Sequence, residues 1–162
     1  MRAYVGVGAN LGDREKTILA AIDLLATQSG VDVVGVSVLR ETEPWGPVEQ
    51  PPYLNGAVAL ETDLDPRDLL DVLLDVERRF GRDRATEVRW GPRTLDLDLL
   101  LHGDVVQDEP GLTLPHPRLH ERRFVLEPLA DLDPALVVPG HGTVAELLAS
   151  LDARPARPDG QG

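Results

Sequence analysis

The sequence contains no cysteine, which excludes a disulfide framework, a thiolate zinc site and a cysteine nucleophile. Aromatic residues are scarce at 4%, too few for the base-stacking platform of single-strand nucleic-acid binders. Basic charge is in deficit: 16 Lys+Arg face 28 Asp+Glu, a formal net charge of −12. That balance argues against a surface that coats nucleic acid or an anionic membrane. No apolar run approaches the roughly 18–20 residues of a membrane span. The opening Met1 to Arg14 lacks the basic-then-apolar layout of a secretory signal. With 42% hydrophobic and 27% charged residues over 162 positions, the chain has the make-up of a folded globule rather than a disordered one. The expectation is one soluble, cytoplasmic domain over residues 1–151, with a flexible tail over 152–162 that is rich in Pro, Arg and Gly.

Periodicity then orders the elements. Residues 3–8 read as a buried strand ending in a glycine turn, and residues 13–28 as a helix with Ile18, Leu19, Ile22 and Leu25 on one side. Val31 to Leu39 is β-branched and alternating, hence a second strand. Residues 41–52 carry four prolines and read as a long, irregular loop of the kind that is usually functional or disordered. A third strand spans Leu54 to Thr62. Asp65-Pro66 opens a helix with Leu69, Leu73, Val76 and Phe80 facing the core. A polar stretch from Arg82 to Arg93 leads into a strand over Thr94 to His102. A short helix over Arg118 to Phe124, a strand at Leu136 to Val138 and a last helix over Thr143 to Leu151 complete the reading. The βαββα order points to an α+β, ferredoxin-like sandwich: an antiparallel sheet with helices packed on its faces.

The chemistry concentrates in Arg89-Trp90-Gly91-Pro92-Arg93-Thr94-Leu95-Asp96-Leu97-Asp98. On a strand, Asp96 and Asp98 share one face and their leucine neighbours the other, with the acids starting roughly 6.6 Å apart. Two carboxylates so placed can converge on hard cations. A half-exposed strand with acids on its wet face would look the same, so the pair alone leaves both readings open. The arginines weigh on the metal side. Six of them lie between Arg78 and Arg93 against Asp83 and Glu87, a net +4 in an acidic chain. Arg118, Arg122 and Arg123 form a second cluster beside His116 and His120. Fifteen of the 16 basic residues are arginine, whose planar fork suits phosphate oxygens. Arginine gathered beside a carboxylate pair favours a site for a polyphosphate and Mg²⁺ over the alternative, helix-end and surface arginines in weak ion pairs with the many acids.

Other motifs drop out. Gly6-Val7-Gly8-Ala9-Asn10-Leu11-Gly12 is neither G-x-G-x-x-G nor a P-loop. Ser29, Ser37 and Ser150 lie in no G-x-S-x-G setting, and the four histidines are not spaced as a zinc helix. A lone histidine such as that of Pro115-His116-Pro117 is often only structural, but the flanking prolines fix the backbone and would hold the imidazole for a phosphate contact.

Together with Gly8-Ala9-Asn10-Leu11-Gly12-Asp13, Thr42-Glu43-Pro44-Trp45-Gly46, Gln50-Pro51-Pro52-Tyr53-Leu54-Asn55 and Leu114-Pro115-His116-Pro117, the Arg89–Asp98 string resembles the 6-hydroxymethyl-7,8-dihydropterin pyrophosphokinase family from about residue 3 to residue 151. The resemblance implies transfer of pyrophosphate from ATP to the pterin hydroxymethyl oxygen, releasing AMP, in folate biosynthesis. It also implies two Mg²⁺ ions bound with ATP by Asp96 and Asp98, and charge neutralisation by Arg82 and Arg93. Arg84, Arg122, His116 and Thr113 would contact phosphate or ribose, and Glu77, Trp90 and Leu99 would line the nucleotide pocket. The pterin would stack between Tyr53 and Phe124 and be read by Asn55 and the backbone around Thr42, Glu43 and Trp45. The partners implied are ATP and the reduced pterin, with no nucleic acid or membrane, for a monomeric enzyme. Residues 43–53 and 82–93 would act as lids over the bound nucleotide. A non-catalytic ligand-binding domain and a nucleic-acid binder are the rival readings, and the acidic balance weighs against the second.

Overall fold

The computed structural model describes residues 1–10, 12–42, 52–80 and 95–153. Its central sheet is built from β1 (Arg2–Ala9), β2 (Val31–Val36), β3 (Arg40–Thr42), β4 (Tyr53–Thr62) and β5 (Asp96–His102). The spatial order is β2-β4-β1-β5, with β3 also pairing β4, and every pairing is antiparallel. Strand β4 therefore sits between β1 and β2, which are joined by helix α1 (Arg14–Ala26). Helix α2 (Pro66–Arg79) joins β4 to the far-edge strand β5. The chain continues through a small hairpin of β6 (Gln107–Glu109) and β7 (Leu112–Leu114) and a 3-10 turn at Leu119–Glu121. Helix α3 (Arg123–Leu132), a second hairpin of β8 (Val137–Val138) and β9 (Gly142–Thr143), and helix α4 (Val144–Asp152) follow.

The two faces of the sheet bury separate cores. Ala3, Val5 and Val7 of β1, Val58 and Leu60 of β4, and Leu97 and Leu99 of β5 pack against Ile18, Ile22 and Leu25 of α1 and Leu69, Leu73 and Val76 of α2. Tyr4, Ala57, Ala59, Leu100 and Leu101 face Leu126 and Leu129 of α3 and Val144 and Leu151 of α4. Both helices of the first core start as the sequence suggests. Asp13 accepts from Lys16 N at 3.2 Å, and Asp65 accepts from Asp68 N at 2.8 Å with proline in the first turn. Helix α4 opens on a full capping box between Thr143 and Glu146.

Four expectations need correcting. Strand β1 does not turn at its glycines: it runs through Gly6 and Gly8 to Ala9. The strand expected over Val31 to Leu39 stops at Val36, and the chain resumes as β3 inside what read as loop. The β6–β7 hairpin lies between the strand ending at His102 and the helix beginning at Arg118, where the sequence reading placed no element. The helix expected to end at Phe124 is instead a 3-10 turn followed by a ten-residue helix. Pro128 lies inside that helix and reads as a breaker, because it removes one backbone donor. Buried Leu126, Pro128 and Leu129 offset that loss by packing on the sheet. Helix α3 is further tied to the β2–β3 junction by a two-pronged ion pair from Arg40 to Asp131, with both N–O distances 2.8 Å, and by Val38 N donating to Asp131 at 3.2 Å.

Candidate active site

A cleft of about 120 Å³ opens on the α3 face of the sheet. Its floor follows from strand alternation and register. Gly8 of β1 lies opposite Asp96 on one side and Asn55 on the other; Gly6 lies opposite Asp98 and Ala57. The two glycines thus leave bare backbone between a pair of carboxylates and an amide. A Cβ at Gly8 would stand 2.7 Å from Asn55 Oδ1, so any side chain there would collide with the amide. Thr42 and Tyr53 border one end, and Arg122, Phe124 and Val125 descend from the start of α3.

Asp96 and Asp98 do share one face, as the D-x-D spacing predicts, and both line the cleft half-buried. The alternation breaks just beyond them: Tyr4 pairs Leu101 and Val5 pairs Leu99. Leu100 is therefore an extra residue that joins the aspartate face. Leu97 between the acids points into the α1–α2 core, and its backbone N–H is taken at 2.7 Å by the carboxylate of Glu77 from α2. The acidic pair is held from beneath by a buried acid.

Arg122 and His116 approach from the loop side. The guanidinium of Arg122 rides over the Phe124 ring, 5.6 Å from its centroid. Burial and the neighbouring Arg118 destabilise its charge, and Asp98, Glu121 and Asp96 oppose that loss. His116 follows the cis Leu114–Pro115 bond and donates its backbone N–H to Leu100 O at 2.9 Å. Burial first, and then the charge of Arg122, push its imidazole down to about 4; Asp96 works the other way. The ring is therefore neutral at pH 7. Its Nδ1 accepts from Arg118 N at 3.5 Å, which leaves the Nε2 proton to donate.

That burial has a pH signature. The folded state disfavours the charged imidazole, so its contribution to stability is complete above the ordinary value of 6.5 and drains away as pH falls toward 4. The loss amounts to about 3 kcal/mol across that window. Urea unfolding of wild type and His116→Gln at pH 7 and pH 4 should show the variant losing less stability on acidification. Parallel losses in the two proteins would remove His116 as the cause.

Of the residues that the resemblance assigns to the pterin, Thr42, Tyr53, Asn55 and Phe124 all line the cleft. Arg14 of α1 ties that end together by donating to the Pro52 carbonyl at 2.9 Å and to the Glu41 carboxylate at 2.5 Å. The nucleotide-side residues are more dispersed. Arg122 lines the cleft and His116 lies near enough to feel the charges of Arg122 and Asp96, but Leu99 faces the α1–α2 core. Thr113 bonds to Asp108 within the β6–β7 hairpin at 3.2 Å, and Glu77 lies beneath β5 with 1% of its surface exposed. Glu43, Trp45, Arg82, Arg84, Trp90 and Arg93 lie outside the described residues, as do residues 43–51 of the first expected lid and all of the second. Residue-level reading missed Gly6 and Gly8 as a cleft floor; their spacing of two along a strand, which bares a single face, was the available signal.

An α+β domain whose sheet carries a carboxylate pair, a half-buried arginine and an aromatic-flanked amide on one open face has the make-up of a small-molecule enzyme. The family model described as 7,8-dihydro-6-hydroxymethylpterin-pyrophosphokinase (HPPK) matches residues 4–134. The chain is 45% identical over 151 residues to the 2-amino-4-hydroxy-6-hydroxymethyldihydropteridine pyrophosphokinase of Methylorubrum extorquens, spanning 93% of this chain and 94% of that one. To the enzyme of the same name from Pseudomonas aeruginosa it is 46% identical over 149 residues, 92% and 91% of the two chains. It also matches the folic acid synthesis protein fol1 of Schizosaccharomyces pombe at 40% identity, over 96% of this chain and 21% of that protein. The chain belongs to the HPPK family, and with that membership goes pyrophosphokinase activity in folate biosynthesis.

Proposed function

We propose that the cleft transfers the pyrophosphoryl group of ATP to the hydroxymethyl oxygen of 6-hydroxymethyl-7,8-dihydropterin. The hydroxyl oxygen bonds to the β-phosphorus, the bond from that phosphorus to the oxygen bridging toward the α-phosphate breaks, AMP departs and the hydroxyl proton is released. The observation that carries this reading is that Asp96 and Asp98 share one cleft with Arg122 on one side and with Tyr53, Asn55 and Phe124 on the other. A charged half and a flat, aromatic half, joined on one floor, suit a polyphosphate donor and a ring-bearing acceptor brought together. The topology, with β4 inserted between β1 and β2, supports the ferredoxin-like reading of the sandwich.

The donor set fits Mg²⁺. Two carboxylates are present at the cleft, and among the described residues no group of three or more His, Asp or Glu side chains could form a closed cage. Mg²⁺ is held in this way, by one or two carboxylates with water and substrate phosphate oxygens completing the shell. Asp96 and Asp98 would hold two such ions, which supply charge neutralisation and a template for the polyphosphate. Arg122 and the Nε2 proton of His116 bind phosphate oxygens from the loop side. Phe124 and Tyr53 flank the pterin, and Asn55 reads its edge. Arg82 and Arg93 neutralise the transferring group, Arg84, Trp90, Glu77, Leu99 and Thr113 serve the nucleotide, and Glu43 and Trp45 serve the pterin, all by the family pattern. Phosphoryl-type transfer asks for positioning and charge neutralisation more than covalent chemistry, which these residue types supply. The enzyme works as a cytoplasmic monomer without nucleic-acid or membrane partners; among the described residues no helix is long and apolar enough to cross a membrane.

Incubation with ATP, Mg²⁺ and the reduced pterin alcohol should yield one AMP per pterin diphosphate formed, with no ADP. Pterin binding without AMP would replace the enzyme with a ligand-binding domain.

A further inference from the structure

Asn55 is an amide, and an amide can present either a donor or an acceptor to a ligand according to which way it is turned. At this site something decides. Strands β3 and β4 pair Thr42 with Tyr53 and Arg40 with Asn55, so Thr42 and Asn55 are diagonal neighbours on the cleft face. The Asn55 Nδ2 donates a short hydrogen bond to the Thr42 hydroxyl oxygen. Its Oδ1 is turned the other way, over Gly8, where only the missing Cβ leaves it room. Both Gly8 and Asn55 line the cleft. The amide is caught between a hydroxyl that accepts from one end and a bare glycine that admits the other.

We propose that Thr42 is a positioning residue that acts through its side chain: its hydroxyl fixes the Asn55 amide with Oδ1 toward the cleft, so that the site offers a set acceptor to a ring N–H or amino group. The inference rests on the pterin reading of the cleft, because a 2-amino-pteridine carries such donors on its edge. With the hydroxyl removed, the amide is free to turn its Nδ2 inward and meet those donors with a donor, which repels the correct ring. Thr42 acts on ring recognition and not on the phosphates, so its loss belongs in pterin affinity and pterin KM rather than in kcat.

The experiment compares wild type, Thr42→Val and Thr42→Ser by calorimetric titration with the reduced pterin alcohol and by initial rates of AMP release. Valine keeps the shape of threonine without the hydroxyl; serine keeps the hydroxyl. The expected result is about a tenfold weaker pterin Kd and an equal rise in pterin KM for Thr42→Val, with kcat and the ATP KM within about twofold of wild type. Thr42→Ser should restore most of the affinity. Wild-type affinity in Thr42→Val, or equal weakening in valine and serine variants, would overturn the positioning role while leaving the pterin reading in place. Failure of wild type itself to bind the pterin would overturn that reading and this inference with it.

Discussion

Asp98→Asn should lower kcat by about 10³-fold or more, which corresponds to roughly 4 kcal/mol of lost transition-state stabilisation. The substitution is nearly isosteric and exchanges one charged oxygen for an amide nitrogen. The strand that carries it is held on one side by β1, where Gly6 lies opposite Asp98, and by the α1–α2 core beneath Leu97 and Leu99. Neither support touches the Asp98 carboxylate, so the fold should survive. What goes is one of two anionic oxygen donors at a site where the described residues present no third. A hard cation held by two carboxylates and held by one differ in both affinity and position. Asp96→Asn should behave alike, because the two acids share the face and the cleft. Pterin affinity should stay close to wild type in both variants, since Tyr53, Asn55 and Phe124 are unchanged. Initial rates of AMP release at saturating Mg²⁺, with circular dichroism as a folding control, read the effect. Activity within a few-fold of wild type would return the pair to the alternative that the spacing alone left open, acids on the wet face of a strand.

That alternative shows how far residue order carries. A period of two put Asp96 and Asp98 on one face correctly, because strand alternation is a local property of the backbone. The same rule would have sent Leu101 to the face of Leu99, but the extra residue at Leu100 moves it to the opposite core. A bulge depends on the partner strand and leaves no mark in the sequence. Helix α3 was hidden for a related reason: the signal at Pro128 is local and negative, while what keeps the helix is burial against β4 and α4, which is tertiary. The cap at Asp65 was readable because a cap is made within four residues. The cleft floor left only a partial signal: the spacing of Gly6 and Gly8 bares one face of the strand, but that face becomes a floor only when β4 and β5 arrive on either side. The motif-level resemblance supplied the residue roles, and the packing now orders them by what each side chain touches.

Glu77 is the residue whose contacts say most beyond its motif, and Glu77→Ala should cost about 3 kcal/mol of folding stability. Its carboxylate lies 1% exposed under β5 and accepts the Leu97 N–H at 2.7 Å. A hydrogen bond to a charged acceptor is worth about 1.5–3 kcal/mol, and a buried donor left without its acceptor adds about 1–3 kcal/mol of desolvation. Truncation also opens a void between α2 and the sheet, although backbone relaxation recovers part of the total. Leu97 is the residue between the two site aspartates, so a strand that shifts to find another acceptor for its N–H moves both carboxylates. The loss in Glu77→Ala should therefore appear twice, as a lower urea midpoint with unchanged slope and as a lower kcat. Glu77→Gln separates the two roles open to this side chain. Its amide oxygen can still accept from Leu97 while the charge is gone, so a positioning acid predicts stability within about 1 kcal/mol of wild type and a kcat largely kept. A side chain that contacts the nucleotide directly, as the family pattern implies, predicts instead a raised KM for ATP in Glu77→Gln at unchanged stability. If Glu77→Ala unfolds at the wild-type urea concentration, the bond to Leu97 does not hold the strand, and the placement of Asp96 and Asp98 rests on β1 and the core beneath Leu97 and Leu99.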